Sequence, residues 1–254
     1  MNTKLVWHDL QWCLQRAPRK VLEAMQKHGA KVMVAGGFIR SCITNEHIND
    51  IDLFVPSKDF GLELAKELAE GDEKRIHETD NAYTIKGYRI PVQIIHRWTF
   101  DDPGVCIQSF DFTIARAAFW CGALETEKVG EDGKPVIVNS WLSLCDPRFY
   151  PDLAGKRLIY CSPVRIEEVG GSMLRVLKFY QRGYRIPLDS LGKVIARLVG
   201  GVSEESYATR DEDQMAKVLS GLLREVDPNI DPKHIAHLPS ESEGEMPDAS
   251  TEGT

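Results

Sequence analysis

The chain has 254 residues, 43% of them hydrophobic, enough to bury one full core with room for a small appended one. No run of about 18 apolar residues occurs, and Trp7, His8 and Asp9 stand where a signal peptide would place its apolar stretch; the expectation is a soluble, cytoplasmic protein with no membrane partner. The formal net charge of −7 speaks against a broadly basic nucleic-acid binder, yet from Pro239 onward Glu241, Glu243, Glu245, Asp248 and Glu252 occur with no Lys or Arg, so about −2 remains for the rest and a local basic patch stays open.

Residues 7–28 repeat apolar side chains at Trp7, Leu10 and Leu14 and again at Val21, Leu22 and Met25, with Pro18 between the groups; this reads as two short helices or one kinked helix. KVMVAGG is a compact apolar run ended by two glycines, FIRSCIT is helical in pattern, and IDLFVP is a second short apolar run ended by proline. Ser57 suits the N-cap of a helix over KDFGLELAKELAE, with Gly71 as its stop. AYTIK and RIPVQIIHR fit a β-hairpin pair, which brings the sheet to at least four strands. FDFTIARAAFW is ambiguous between strand and helix, and TEKVGEDGKPVIV reads as a hairpin around Glu131, Asp132 and Gly133. Beyond about residue 145 the pattern turns helical, with Met173, Leu174, Leu177 and Tyr180 on one face and a weaker segment at DQMAKVLSGLL. Residues 239–254 have almost nothing to bury and are expected to be disordered.

Six single cysteines form no CxxC pair and read as reduced, mostly buried thiols; the seven histidines are dispersed, and a lone one such as His96 carries no assigned chemistry.

The chemistry concentrates in VAGGFIRSCITNEHINDIDLFV. Gly36 and Gly37 at a strand-to-helix turn let backbone N–H groups and a helix N-terminus approach a triphosphate, and Arg40, one turn on, adds positive charge. Asp50 and Asp52, at i and i+2 on a strand, leave the same face roughly 6.5 Å apart along the chain. Both would then reach the same two divalent ions, about 4 Å apart, of a phosphoryl-transfer site; hard carboxylate oxygens suit Mg²⁺, with Mn²⁺ as a substitute. A glycine pair or a DxD alone is commonplace, and it is their joint spacing, with thirteen residues between Gly36 and Asp50, that points to function.

That segment resembles the signature of the DNA polymerase β-like nucleotidyltransferases, in particular the head domain of class II CCA-adding enzymes and bacterial poly(A) polymerases. SFDFTIARAAF is similar to the family's sugar-binding segment centred on Arg-Asp-Phe-Thr-Ile-Asn-Ala, with Asp111 as the matching carboxylate; CDPRFYPDLAGKRLIY resembles the stretch closing the head, and MLRVLKFYQRGYRI the first neck helix. The likeness runs from about residue 31 to 186. It implies an α/β (α+β) head with a mixed sheet over residues 1–150, a helical neck-like extension over 151–238 and the acidic tail over 239–254. It also implies nucleotidyl transfer from an NTP to an acceptor hydroxyl, most naturally an RNA 3′ end, with loss of pyrophosphate.

The departures bear on activity. The strand expected to carry a third acidic residue offers Gln93, so either Asp111 completes the carboxylate set or two remain, and a lost acid–base partner commonly costs about 10²- to 10⁴-fold. Ala115 and Arg116 replace the family's Asn and Ala, Ser172 replaces the first neck arginine, and the Glu-Asp-x-x-Arg element for base choice has no match. The expected site is Asp50, Asp52 and Asp111 for catalysis and Gly36, Gly37, Arg40 and Arg116 for the nucleotide. Arg175, Lys178 and Arg182 line one helix face; they would hold RNA phosphates or, on the other reading, be a solvated stripe paired with Glu167, Glu168 or the tail. Transfer to a protein or small molecule, and nucleotide binding without turnover, are the alternative functions.

Overall fold

A computed structural model describes residues 2–129, 135–163, 170–201, 213, 215–217 and 219. The acidic tail, the turn at 131–133, Arg165, Glu167, Glu168 and most of DQMAKVLSGLL lie outside the described residues.

The N-terminal pattern resolves as two helices, α1 (Trp7–Arg16) and α2 (Arg19–His28), separated at Pro18, which cannot continue the first ladder and sits at the N-cap of the second. They bury Leu10, Cys13 and Leu14, and Val21, Ala24 and Met25. Next come β1 (Met33–Ala35), α3 (Gly37–Thr44), β2 (Ile51–Phe54) and α4 (Lys58–Leu68). Ser57 caps α4 as expected, its hydroxyl accepting from the Phe60 N–H at 3.2 Å. Past the end of α4, Gly71 takes a positive φ of 79°.

A short strand that the sequence pattern did not reveal, β3 (Ile76–Glu78), precedes the expected pair β4 (Ala82–Ile85) and β5 (Val92–Ile95). After α5 (Pro103–Gln108), the ambiguous FDFTIARAAFW becomes a 3-10 turn at Thr113–Ala115 and then β6 (Ala117–Val129), which pairs with β7 (Pro135–Cys145). The C-terminal part adds α6 (Phe149–Ala154), the expected α7 (Gly171–Gln181) and α8 (Leu188–Gly200), the last not foreseen.

The seven strands form one mixed sheet in the order β3-β4-β5-β2-β1-β6-β7, in which β2 and β5 are parallel and their neighbours antiparallel. Alternation along the strands sorts the two faces. Val34, Ile51, Leu53, Val92 and Ile94 join a large core with the helices, whereas Met33, Ala35, Phe54 and Ile95 join a smaller cluster with Cys106 and Ile107 of α5. Asp52 shares the second face with Phe54, and Gln93 shares it with Ile95, so two strands carry polar side chains side by side just beyond where the α5 cluster ends. Val176 and Phe179 of α7, Tyr184, and Val194 of α8 belong to the large core, which ties the helical extension to the sheet. Among the described residues no helix is long and apolar enough to cross a membrane, and all six cysteines are free, five of them buried. His96 is buried against the Tyr83 ring, 4.4 Å between centroids, as a core residue.

Candidate active site

β1 ends at a turn that only glycine makes easily: Gly36 has φ 83° and ψ −131° and donates its N–H to the Ala117 carbonyl at 3.0 Å. A Cβ there would come within 2.9 Å of the Phe110 ring, and one at Gly37 would lie 3.6 Å from the Arg40 guanidinium. Gly36 therefore admits the aromatic ring at the start of α3, whereas a Cβ at Gly37 would make only an ordinary contact with Arg40. Arg40 is 6% exposed; it donates to the Ser41 hydroxyl at 3.1 Å, stacks 4.8 Å from the Phe179 ring centre, and has Nε 3.5 Å from Glu46 Oε2. Burial pulls its pKa down and the Glu46 charge opposes that fall.

Asp50 immediately precedes β2 and Asp52 lies within it. In the parallel register Asp52 is paired with Gln93, which places the neutral amide where a third acidic side chain would stand. Both aspartates are pushed toward the protonated form. For Asp50 the cause is burial, countered by Arg40, Arg182 and Lys178; for Asp52 it is burial and then the Asp50 charge, and its pKa rises to about 8. Two half-buried neighbouring carboxylates, one of which raises the pKa of the other, offer hard oxygen donors that fit a divalent cation, which would relieve that cost. Among the described residues no three acidic, His or Cys side chains are grouped so that they could hold a metal ion, and Asp111 lines the same cleft as Asp52.

Asp111, in the loop between α5 and the 3-10 turn at Thr113–Ala115, is tied to α7. Its Oδ2 accepts from Ser172 Oγ at 2.8 Å and from Arg175 Nη1 at 2.6 Å, and its backbone carbonyl accepts from Cys161 N at 2.8 Å. Arg116 does not reach the cleft: its guanidinium donates to the carbonyls of Phe110, Gln108 and Cys161 and lies 3.7 Å from Asp146. Arg175, Lys178 and Arg182 do come to the site. Partly exposed, they line, with Gly37, Arg40, Asp52 and Asp111, a cleft of about 280 Å³.

The sequence pattern did not mark Glu46, beside the cleft, or Phe54, Phe110 and Arg197, which line it. Glu46 accepts from the Tyr184 hydroxyl at 3.2 Å, lies 3.7 Å from Arg182 and 3.5 Å from Arg40, so one carboxylate joins α3 to the end of α7. Phe54, Trp98 and Phe110 make an apolar wall, and Arg197 of α8 adds a further cation. Glu46 sits in an irregular loop with no periodicity to mark it; Phe110 had a signal, since it directly precedes Asp111 in the segment compared with the sugar-binding stretch.

The model of the Gabija anti-defense 2 family matches residues 8–156, more than half of the chain. The chain belongs to the Gabija anti-defense 2 family. Gabija anti-defense 2 of Bacillus phage SPbetaL7 is 29% identical over 100 residues, which cover 39% of this chain and 24% of that relative. The matched stretch is thus about a quarter of the relative's length. Among solved structures, the Thermotoga maritima CCA-adding enzyme complexed with tRNA superposes with a TM-score of 0.51 at 19% identity, covering 85% of this chain and 48% of that one. A CCA-adding enzyme with ATP gives a TM-score of 0.52 at 18% identity, covering 89% and 53%. This family member therefore has the polymerase β-like nucleotidyltransferase fold, and it spans about half the length of those structures.

Proposed function

We propose that the protein is a metal-dependent nucleotidyltransferase that moves a nucleoside monophosphate from an NTP to an acceptor hydroxyl. The observation that carries this reading is Asp52, in register with Gln93 and two residues from Asp50, lining a cleft together with Arg175, Lys178 and Arg182, while the charges of Arg40, Arg182 and Lys178 act on Asp50. Arg40, Lys178 and Arg182, whose charges act on Asp50, would bind the phosphate chain and stabilise the charge that builds up as it leaves. Mg²⁺ held by Asp50 and Asp52 would supply Lewis-acid activation of the hydroxyl and of the leaving phosphates. The acceptor oxygen bonds to the α-phosphorus, the bond from that phosphorus to the bridging oxygen breaks, the hydroxyl proton passes to a carboxylate oxygen of the pair, and pyrophosphate departs. With Gln93 in place of a third carboxylate, turnover would be slow.

The acceptor we favour is an RNA 3′ end, supported by the fold shared with CCA-adding enzymes. A second reading, transfer to a protein of the Gabija defence, is supported by the family to which the chain belongs. Purified protein incubated with Mg²⁺, a short RNA pool and each labelled NTP should label RNA, and an Asp50→Ala, Asp52→Ala variant should not. Label on a Gabija protein with RNA untouched would replace the RNA reading by the second; NTP binding with no label on either would replace both by a binding module.

A further inference from the structure

Arg175, Lys178 and Arg182 line the cleft that the proposed function assigns to the nucleotide, so an RNA acceptor would need cations elsewhere. A second groove lies on the other side of the loop that carries Asp50. Its volume is about 550 Å³, and it is walled by the end of α1 (Gln15, Arg16), by the α3–β2 loop (Asn45 to Ile48) and by Arg89 of the β4–β5 loop.

Three observations make this an anion site beside the carboxylates. First, position: β2 and β5 are parallel and in register, and Ile51 N donates to Pro91 O at 2.9 Å, so the α3–β2 and β4–β5 loops meet at the strands' N-terminal ends, within a residue or two of Asp50 and Gln93. Read along β2, the open face runs from Phe54 through Asp52 to Asp50 and then into this loop. Second, charge: Arg16 and Arg89 are the groove's arginines, and its acidic side chain, Glu46, is already matched by Arg40 and Arg182. Third, preorganisation: the Arg16 guanidinium lies 4.2 Å from the Trp12 ring centre and donates to Asn45 Oδ1 at 3.1 Å, so it is fixed before any ligand arrives. The Trp12 indole, 43% exposed, gives an aromatic surface beside the cation, the combination that single-stranded nucleic acid uses for stacking and backbone contact.

We infer that this groove holds the phosphodiester backbone of a single-stranded RNA acceptor, with Arg16 and Arg89 on successive phosphates and the 3′ hydroxyl delivered past the Asp50 loop to the carboxylate pair. This rests on the nucleotidyl-transfer reading for its purpose, though not for its binding chemistry.

The test measures RNA and ATP binding separately on the full chain. Fluorescence anisotropy with a labelled short single-stranded RNA, without Mg²⁺ or NTP, is recorded against salt for the wild type, Arg16→Glu, Arg89→Glu and the double variant. Each reversal should weaken RNA binding about tenfold and flatten the salt slope by roughly 0.7 per lost phosphate contact. ATP binding on the same variants reports whether the cleft is intact, and Arg89→Glu, at an exposed loop position, covers the case in which Arg16→Glu disturbs α1 packing. RNA affinity unchanged in Arg89→Glu and in the double variant would overturn the groove assignment, as would a wild type that binds ATP but no RNA. RNA binding that falls in the variants while the wild type fails to bind ATP would uphold the groove and sink the transferase reading instead.

Discussion

The carboxylate pair makes the residue-scale chemistry testable through stability as well as activity. The Asp52 pKa in the fold, about 8, lies above its ordinary 3.8, so as pH rises the unfolded chain gives up its proton first and the native state is penalised. That penalty is absent below about pH 4, grows up to about pH 8 and is constant above. Asp52→Asn should therefore raise the melting temperature of metal-free protein at neutral pH, by roughly 2–4 °C for each kcal/mol relieved, and the gain should vanish near pH 4. Mg²⁺ should raise the wild-type melting temperature more than that of the variant, and both effects are read by calorimetry over a pH series. Gly36→Ala tests the turn. Its backbone conformation is glycine's, and the new Cβ would push on Phe110, for a loss of roughly 1–3 kcal/mol by denaturant titration; adding Phe110→Ala should remove the steric part of the coupling and leave the backbone strain.

Between elements, the parallel register of β2 and β5 decides how many carboxylates the site can have. Because Gln93 lies opposite Asp52, Gln93→Glu puts a third carboxylate beside the pair. The variant should bind Mg²⁺ several-fold more tightly by titration calorimetry and, without metal, should melt lower than wild type from added repulsion. An unchanged Mg²⁺ affinity would mean that β5 does not reach the metal position. The sequence marked Gln93 as a departure because the matching strand was recognisable. It did not show that Asp111 would be held by Ser172 and Arg175, since α7 lies some sixty residues further along the chain and no local pattern encodes that contact. Likewise β3, three residues long with one half-buried side chain and two exposed ones, offers too little periodicity to read, and α8 was passed over for the more distant DQMAKVLSGLL.

At the scale of the whole molecule, the C-terminal helices contribute Val176, Phe179 and Val194, and the chain between them Tyr184, to the larger of the two cores. Four buried side chains at about 1.5–3 kcal/mol each are comparable with the 5–15 kcal/mol of a typical domain. A chain ending at residue 163 should lose cooperative thermal unfolding or aggregate on size-exclusion chromatography. If it instead unfolds cooperatively near the wild-type temperature, α7 and α8 are an accessory to the site and not a part of the fold. The sequence by itself determined the alternation that gives the sheet its faces, the glycine turn into α3 and the two aspartates one strand-repeat apart, because each depends on neighbours within a few residues. Only the tertiary structure decided that the basic stripe lines the cleft, that Arg116 is spent on backbone carbonyls, and that Glu46 and Arg16 wall one groove beside the Asp50 loop. The direction in which a helix face or an arginine is used depends on what packs against it, and those partners come from distant parts of the chain.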